Sequence, residues 1–363
     1  MPISDIRYSI ALTMLTDVGP VGSKKLLSVF GTPEKIFHST VEDLVAVGGI
    51  GINRARNIKA FSSWNDVEKQ LKTLEKSGIR AVSFDEPSFP ELLREIEDAP
   101  VVIYIRGHME SQDRYAIAVV GSRKPSSYGA SVAERISGEL TSMGFTIVSG
   151  MARGIDALSH KGALSVGGRT IAVLGSGLDV PYPPENKLLM ERIADSGCVI
   201  SEFPPGTPPN RENFPRRNRV ISGMSLGVLV IEATTDSGSL ITAKYALDQG
   251  REVFAIPGKV TAPTSGGTNE LIRRGAILTR KAEDIVEELA PVLKGFIKSQ
   301  DRSKGDVTEE EQKLCALLSR EPKQIDNISR ESKLPSSKVL GILLALELKG
   351  LVKQTTGKRF YLA

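Results

Sequence analysis

Cysteine is nearly absent from this chain: Cys198 and Cys315 are the only two, and they lie far apart. With no CxxC pair and no Cys/His cluster, a disulfide framework or a structural zinc site is excluded, and sparse thiols fit a reducing compartment. Long apolar runs are missing too. No stretch approaches the length of a membrane span, and the start, "MPISDIRYSIALTM", carries Asp5 and Arg7 where a signal peptide needs an unbroken apolar core. A soluble cytoplasmic protein is therefore expected. Charge of one sign is scarce as well, with 47 Lys and Arg against 43 Asp and Glu. A net +4 permits nucleic acid as a partner without requiring it. The Walker spacing GxxxxGK[ST] does not occur, since "GPVGSKK" has the wrong interval, so ATP hydrolysis is unsupported. None of His38, His108 and His160 sits beside a plausible Ser or Cys nucleophile with a carboxylate partner. No cofactor and no metal are expected.

The residues that are present divide the chain into four parts. Residues 1–62 read as short helices around two similar glycine turns, "LTDVGPVGSKKLL" and "VAVGGIGINRAR". This is the pattern of a helix-hairpin-helix (SAM-like) domain, whose turns either approach a phosphate through backbone N–H groups or simply join helices. Within 63–290, short β-branched runs ("YAIAVV", "FTIVS", "TIAVLG", "CVISE", "GVLVIEA", "EVFAIPG") alternate with amphipathic helical stretches. That alternation predicts a doubly wound, mostly parallel α/β sheet. "IRAVSFDEPSFPELLREIEDAPVVIYIRG" adds a strand, a short helix and a strand at one edge. Residues 291–306 form a polar linker. Residues 307–363 read as three helices and a hairpin turning at Gly357, a winged helix whose third helix opens with Ser336, Ser337 and Lys338.

In open α/β sheets, ligands bind beyond the carboxyl ends of the strands. Four turns at that edge suit an anion: Gly121, Ser122, Arg123 and Lys124; Ser149, Gly150 and Arg153; Gly175, Ser176 and Gly177; and Ser237, Gly238 and Ser239, with Thr242 one turn later. Glycine lets the backbone approach, serine donates a hydroxyl, and arginine forks onto phosphate oxygens. One such turn commonly just caps a helix, but four on one edge exceed what one nucleotide needs and suit a polynucleotide backbone. "FPRRNR" extends the set. Arg216 and Arg219, three apart, share one side of a helix and are expected to face that edge, while the stem of Arg217 could pack along the sheet. The alternative is a solvated basic end paired with Glu202 or Glu212. Phe214 and Tyr182 are the candidate stacking partners for bases.

The strings "DEPSFPELLREIEDAPVVIYIRG", "VVGSRKPSSYG", "IVSGMARGIDALSH", "AVLGSGLDVPYPPEN", "SEFPPGTPP", "FPRRNRVISGMS", "EATTDSGSLITAKYALDQGREVFAIPG" and "GGTNELIRRGA" run in order from about residue 80 to 290. Together they resemble the bacterial DNA-processing protein A (DprA/Smf) family. The resemblance implies an extended Rossmann-like core that binds single-stranded DNA, protects incoming strands during natural transformation, and helps load a RecA-type recombinase. It also implies a homodimer formed through the far end of the core, where Leu271 and Ile272 are candidate contacts, or else intrachain core. The family's phosphate-binding arginine falls on Arg123, and its "RNR" group on Arg217, Asn218 and Arg219. A lysine that some relatives carry after "YP" is Pro184 here, with Lys187 nearby. A wider similarity, to nucleotide phosphoribohydrolases, supplies the rival reading of a nucleotide-binding enzyme or sensor. It puts Thr242 where that superfamily has a catalytic Glu, so no enzyme activity is expected.

Overall fold

The computed structural model describes residues 5–298, 308–319, 321–348, 351–355 and 358–362. Residues 291–298, the first half of the expected linker, are instead helical; its second half and the turn at Gly357 lie outside the described residues. The amino-terminal helices are α1 (Ile6–Met14), α2 (Gly19–Phe30), α3 (Pro33–His38), α4 (Val41–Val45), α5 (Ile52–Lys59) and α6 (Trp64–Lys76). Side-chain caps from Asp5, Thr32 and Thr40 start α1, α3 and α4 by accepting otherwise orphan N–H groups. Tyr8, Phe37, Phe61 and Trp64 pack as one aromatic cluster, which ties α6 to α1 and α3.

Among the described residues the central sheet has nine strands. β1 (Arg80–Ser83) and, after the short α7 (Glu91–Glu95), β2 (Val102–Gly107) form its antiparallel margin. Then come β3 (Ala116–Val120), α8 (Ser127–Ser142), β4 (Thr146–Ser149), α9 (Ile155–Ser165), β5 (Thr170–Leu174), α10 (Lys187–Ser196) and β6 (Cys198–Ser201). The chain returns through α11 (Asn213–Gly223) to β7 (Gly227–Val230), α12 (Gly238–Asp248), β8 (Glu252–Ala255), α13 (Gly266–Arg273), β9 (Ile277–Leu278) and α14 (Ala282–Lys298). The strand order is β1-β2-β6-β5-β4-β3-β7-β8-β9, with every pair from β6 to β9 parallel. All residues of β3, β4, β5, β6 and β7 are buried, as strands covered by helices on both faces must be. The expected Rossmann-like, mostly parallel sheet is what forms; the short β9 was not legible as a strand. Succession runs from β3 outward to β6, then restarts beside β3 at β7. The β3/β7 boundary is therefore the switch point, where a crevice opens at the carboxyl ends.

The carboxy-terminal part is a winged helix: α15 (Glu309–Ala316), β10 (Lys323–Gln324), α16 (Ile325–Ser332), α17 (Ser336–Leu348), β11 (Val352–Thr355) and β12 (Arg359–Leu362). Val339, Leu343 and Leu346 of α17 fill its own small core. Another side of the same helix lies on the α/β core: Leu344 packs into the cluster built by α8 and α14, and Gly341 abuts the backbone of Met143. An ion pair between Lys358 and Glu287 (2.7 Å) closes the seam.

Candidate nucleic-acid interface

A cleft of about 690 Å³ opens at the switch point, over the carboxyl ends of β3, β4, β5 and β7. Val120 and Gly121 form one wall, the start of α12 from Ser237 to Thr242 another, and α11 with the loop before it a third. A narrower recess continues from it under Gly150, Arg153, Gly175 and Tyr182. Arg123, Arg211 and Arg217 line the cleft, and Arg153 reaches the recess.

Arg217 forms the floor. Only 5% of it is exposed, and its Nη1 donates to the Gly150 carbonyl (2.5 Å) and to the Val173 carbonyl, so it plugs the carbonyl-rich ends of β4 and β5. Burial lowers its pKa to about 10, partly countered by Asp156, which keeps the guanidinium charged at neutral pH. Asp156 lies beside it, its carboxyl pushed above the usual range by burial and eased back by Arg217. It accepts from the Ala152 N–H (3.3 Å) and so steadies a turn in which Met151 holds φ 58°. From the sequence, Gly150 is expected to let the backbone approach a phosphate. Its missing side chain instead makes room inside the protein, because a Cβ there would lie 2.6 Å from the Asp156 carboxylate and 2.7 Å from the Arg217 guanidinium.

Above this floor stands an aromatic pair. The rings of Tyr182 and Phe214 are 5.6 Å apart, and the Phe214 ring lies 5.7 Å from the Arg123 guanidinium and 6.0 Å from that of Arg217. Arg123 is exposed and forms no ion pair among the described residues. Arg153 is exposed and pairs with Glu185. Asn218 bridges α11 to α12, accepting from Arg217 Nε (3.1 Å) and donating to the Gly238 carbonyl (3.3 Å). Ser237 caps α12 through the Ser239 N–H (3.3 Å), and the hydroxyls of Ser237 and Ser239 are 2.7 Å apart.

Several expected residues stand elsewhere. Arg219 is not on the cleft: it is 4% exposed, paired with Glu202 and bonded to Asp98 on another side of α11. Arg216, expected to share its outlook, lies exposed over the Phe203 ring (5.2 Å). The faces assumed for the three arginines were thus exchanged, since Arg217 is the one that reaches the strand edge. Ser149 and Ser176 keep their hydroxyls for the carbonyls of Val119 and Val180. Lys124, Gly177 and Lys187 do not line the cleft or its recess. Leu271 is half-buried and packs against the sheet's core, with Ile272 half-buried beside it. Arg211 and Asp156, in contrast, line the cleft without having been singled out as ligands. The run "PPNRENF" hinted at Arg211 only through its place before α11, and Asp156 reads in sequence as an ordinary helix cap.

A family model described as DNA recombination-mediator protein A matches residues 80–290, the whole stretch that builds the cleft. The chain belongs to that DprA family. Two further models agree at the DprA chain's ends: a SAM-like helix-hairpin-helix tandem over 9–61 and a DprA winged helix domain over 298–358. Protein Smf of Synechocystis is 35% identical over 99% of both chains. DNA processing protein DprA of Bacillus subtilis is 42% identical over 64% of this chain and 81% of its own length. The crystal structure of DprA from Streptococcus pneumoniae superposes with a TM-score of 0.68 at 36% identity, covering 79% of this chain and 99% of that one. A DprA structure from Helicobacter pylori, described for its single-stranded DNA binding mode, gives a TM-score of 0.53 at 28% identity over 58% of this chain and 95% of that one. Among the described residues of this DprA chain, no helix is long and apolar enough to cross a membrane.

Proposed function

We propose that this DprA-family chain is a cytoplasmic protein that binds single-stranded DNA across the cleft, protects it, and loads a RecA-type recombinase onto it during natural transformation or recombination. The observation that carries the reading is one cleft with four arginines, Arg123, Arg153, Arg211 and Arg217, around the Tyr182–Phe214 pair. Guanidiniums grip phosphates while aromatic faces accept any base, the combination expected of sequence-tolerant single-strand binding. The single-stranded DNA binding mode described for the Helicobacter pylori protein supports the same reading.

The deciding measurement is a salt-titrated comparison of an oligothymidylate with duplex DNA. Phosphate contacts from the three exposed arginines, Arg123, Arg153 and Arg211, predict a log–log salt slope of about −2 on the single strand, with weaker binding to duplex. Arg123→Glu and Arg211→Glu should each lower affinity about tenfold or more, whatever the oligonucleotide sequence. Equal affinity for duplex, or no loss in the double variant, would refute the reading.

The enzymatic rival lacks its acid–base group. Thr242 occupies the position where the phosphoribohydrolase pattern has Glu, and the Asp156 carboxylate is already used by the Ala152 N–H beside Arg217. We therefore infer a binding protein, and incubation with nucleoside monophosphates should release no base. For recombinase loading, the chain should speed strand exchange on DNA coated with single-strand-binding protein, and Arg123→Glu should abolish the gain. For the homodimer, Leu271→Arg should halve the mass seen by light scattering while the circular dichroism spectrum stays native.

A further inference from the structure

A carboxylate the DNA reading has no use for is buried next to the cleft. Glu232 follows β7 and is 3% exposed. It reaches across the switch point to the amino end of α8. Its Oε2 accepts the Ser126 N–H (2.8 Å) and its Oε1 accepts the Ser126 hydroxyl (2.6 Å), with Thr264 Oγ1 at 3.5 Å. Ser126 is the residue that caps α8, its hydroxyl oxygen accepting the Gly129 N–H (3.1 Å). The fit is tight: a Cβ on Gly129 would lie 2.5 Å from the Glu232 carboxylate. In a doubly wound fold the amino end of the helix after the first parallel strand is the usual seat of a nucleotide phosphate. Here the protein seats its own anion there.

The same bonds pin one end of the loop that carries Arg123. The other end is pinned at Ser122, whose carbonyl accepts the Ile155 N–H (3.1 Å), while Gly154 presses so close that a Cβ would lie 2.3 Å from that carbonyl oxygen. Arg123 therefore projects from a short span held at both ends, facing the Phe214 ring. A loosely held arginine would lose side-chain and backbone entropy on binding a phosphate; a pinned loop has lost the backbone share already.

We propose that Glu232 is a positioning residue for DNA: an internal carboxylate that occupies the α8 terminus and sets the Arg123 loop toward the strand. This rests on the single-strand reading of the cleft. The test measures affinity and salt slope of the full chain for an oligothymidylate in Glu232→Ala, Glu232→Gln, Arg123→Ala and the Arg123→Ala/Glu232→Ala pair, with thermal melts of each. Glu232→Ala should bind about tenfold more weakly, with a salt slope shallower by about 0.7, the share of one phosphate. Glu232→Gln, whose amide oxygen can still accept the Ser126 N–H, should stay within about threefold of the parent. In the Arg123→Ala background the alanine at 232 should add almost nothing, because positioning acts only through Arg123. A full additional loss there, or an unchanged slope, would overturn the proposal by showing general destabilisation. If Glu232→Ala melts too low to assay, Ser126→Ala takes its place with the same double variant. If Arg123→Ala itself has no effect, the DNA reading falls; if Arg123→Ala weakens binding and Glu232→Ala does not, only this inference falls.

Discussion

The carboxyl edge of the central sheet and helix α17 of the winged helix differ in what they leave uncovered. At the sheet edge, charge is exposed over a rigid floor, with Arg123 and Arg211 open to solvent and Arg217 locked beneath them. Helix α17 is apolar on more than one side, and the sequence "VLGILLAL" is consumed between its own small core and the seam with α8 and α14. Its one basic side chain, Lys338, pairs with Glu310 (2.7 Å). A helix that reads DNA must offer polar side chains to base edges or phosphates; α17 spends its surface on packing. The thin basic face expected from sequence for the third helix of the winged helix is thus thinner still once burial is considered, while the sheet edge keeps its exposed charge.

The largest expected effect comes from within the sheet edge, where the cations divide into two jobs. Arg219→Leu would strand the Glu202 carboxylate, whose pKa is already raised by burial and whose other oxygen has no hydrogen-bond partner. A cost of about 3–5 kcal/mol is expected, read as a large fall in melting temperature. Oligothymidylate affinity measured well below the melt should nevertheless remain within about threefold of the parent. A loss as large as that of Arg123→Glu would move Arg219 back to the DNA surface and erase the division.

That division marks the limit of what the residues alone reveal. The strands were legible because parallel β-strands buried on both faces leave unbroken β-branched runs, and the four turns follow because each run ends in Gly and Ser. Which arginine of "FPRRNR" meets the cleft was not legible. Helical spacing tells which side chains share a side, but α11 is packed against α7, α12 and β5, so it has more than one buried side and the period cannot choose among them. The glycines misled for a related reason. Gly150 and Gly175 adjoin the recess, yet their missing side chains are occupied by Arg217, Asp156 and Phe214 of the protein itself.

A smaller effect should come from prying the winged helix off. In Gly341→Leu the new side chain would meet the Met143 backbone, with Cβ 2.9 Å from its Cα, and backbone cannot step aside as a side chain does. A loss of about 2 kcal/mol at the seam is expected, seen as an increased radius of gyration in solution scattering. Single-strand affinity should stay within about threefold and duplex affinity should not rise. Strong new duplex binding would show that α17 is a masked reader and would reverse the contrast with the sheet edge.

The smallest effect concerns acid. His160, on α9 behind Arg217, is fully buried and its pKa is lowered to about 3, chiefly by burial and secondarily by Arg217. The Thr170 hydroxyl donates to the Ile147 carbonyl (2.7 Å), so His160 Nδ1 must donate to Thr170 (2.6 Å), which leaves Nε2 bare and without a partner. The unfolded chain binds the proton more readily, so stability declines as pH falls from about 6.5 toward 3, by about 1 kcal/mol per unit near pH 5.5. Asp156, its pKa raised by burial, works in the opposite direction. His160→Asn should therefore flatten the melting temperature between pH 6.5 and 5. The winged helix has no histidine, so its amide exchange protection should stay level over that window while the core's falls. Equal loss in both would mean that the acid response does not originate beneath the cleft.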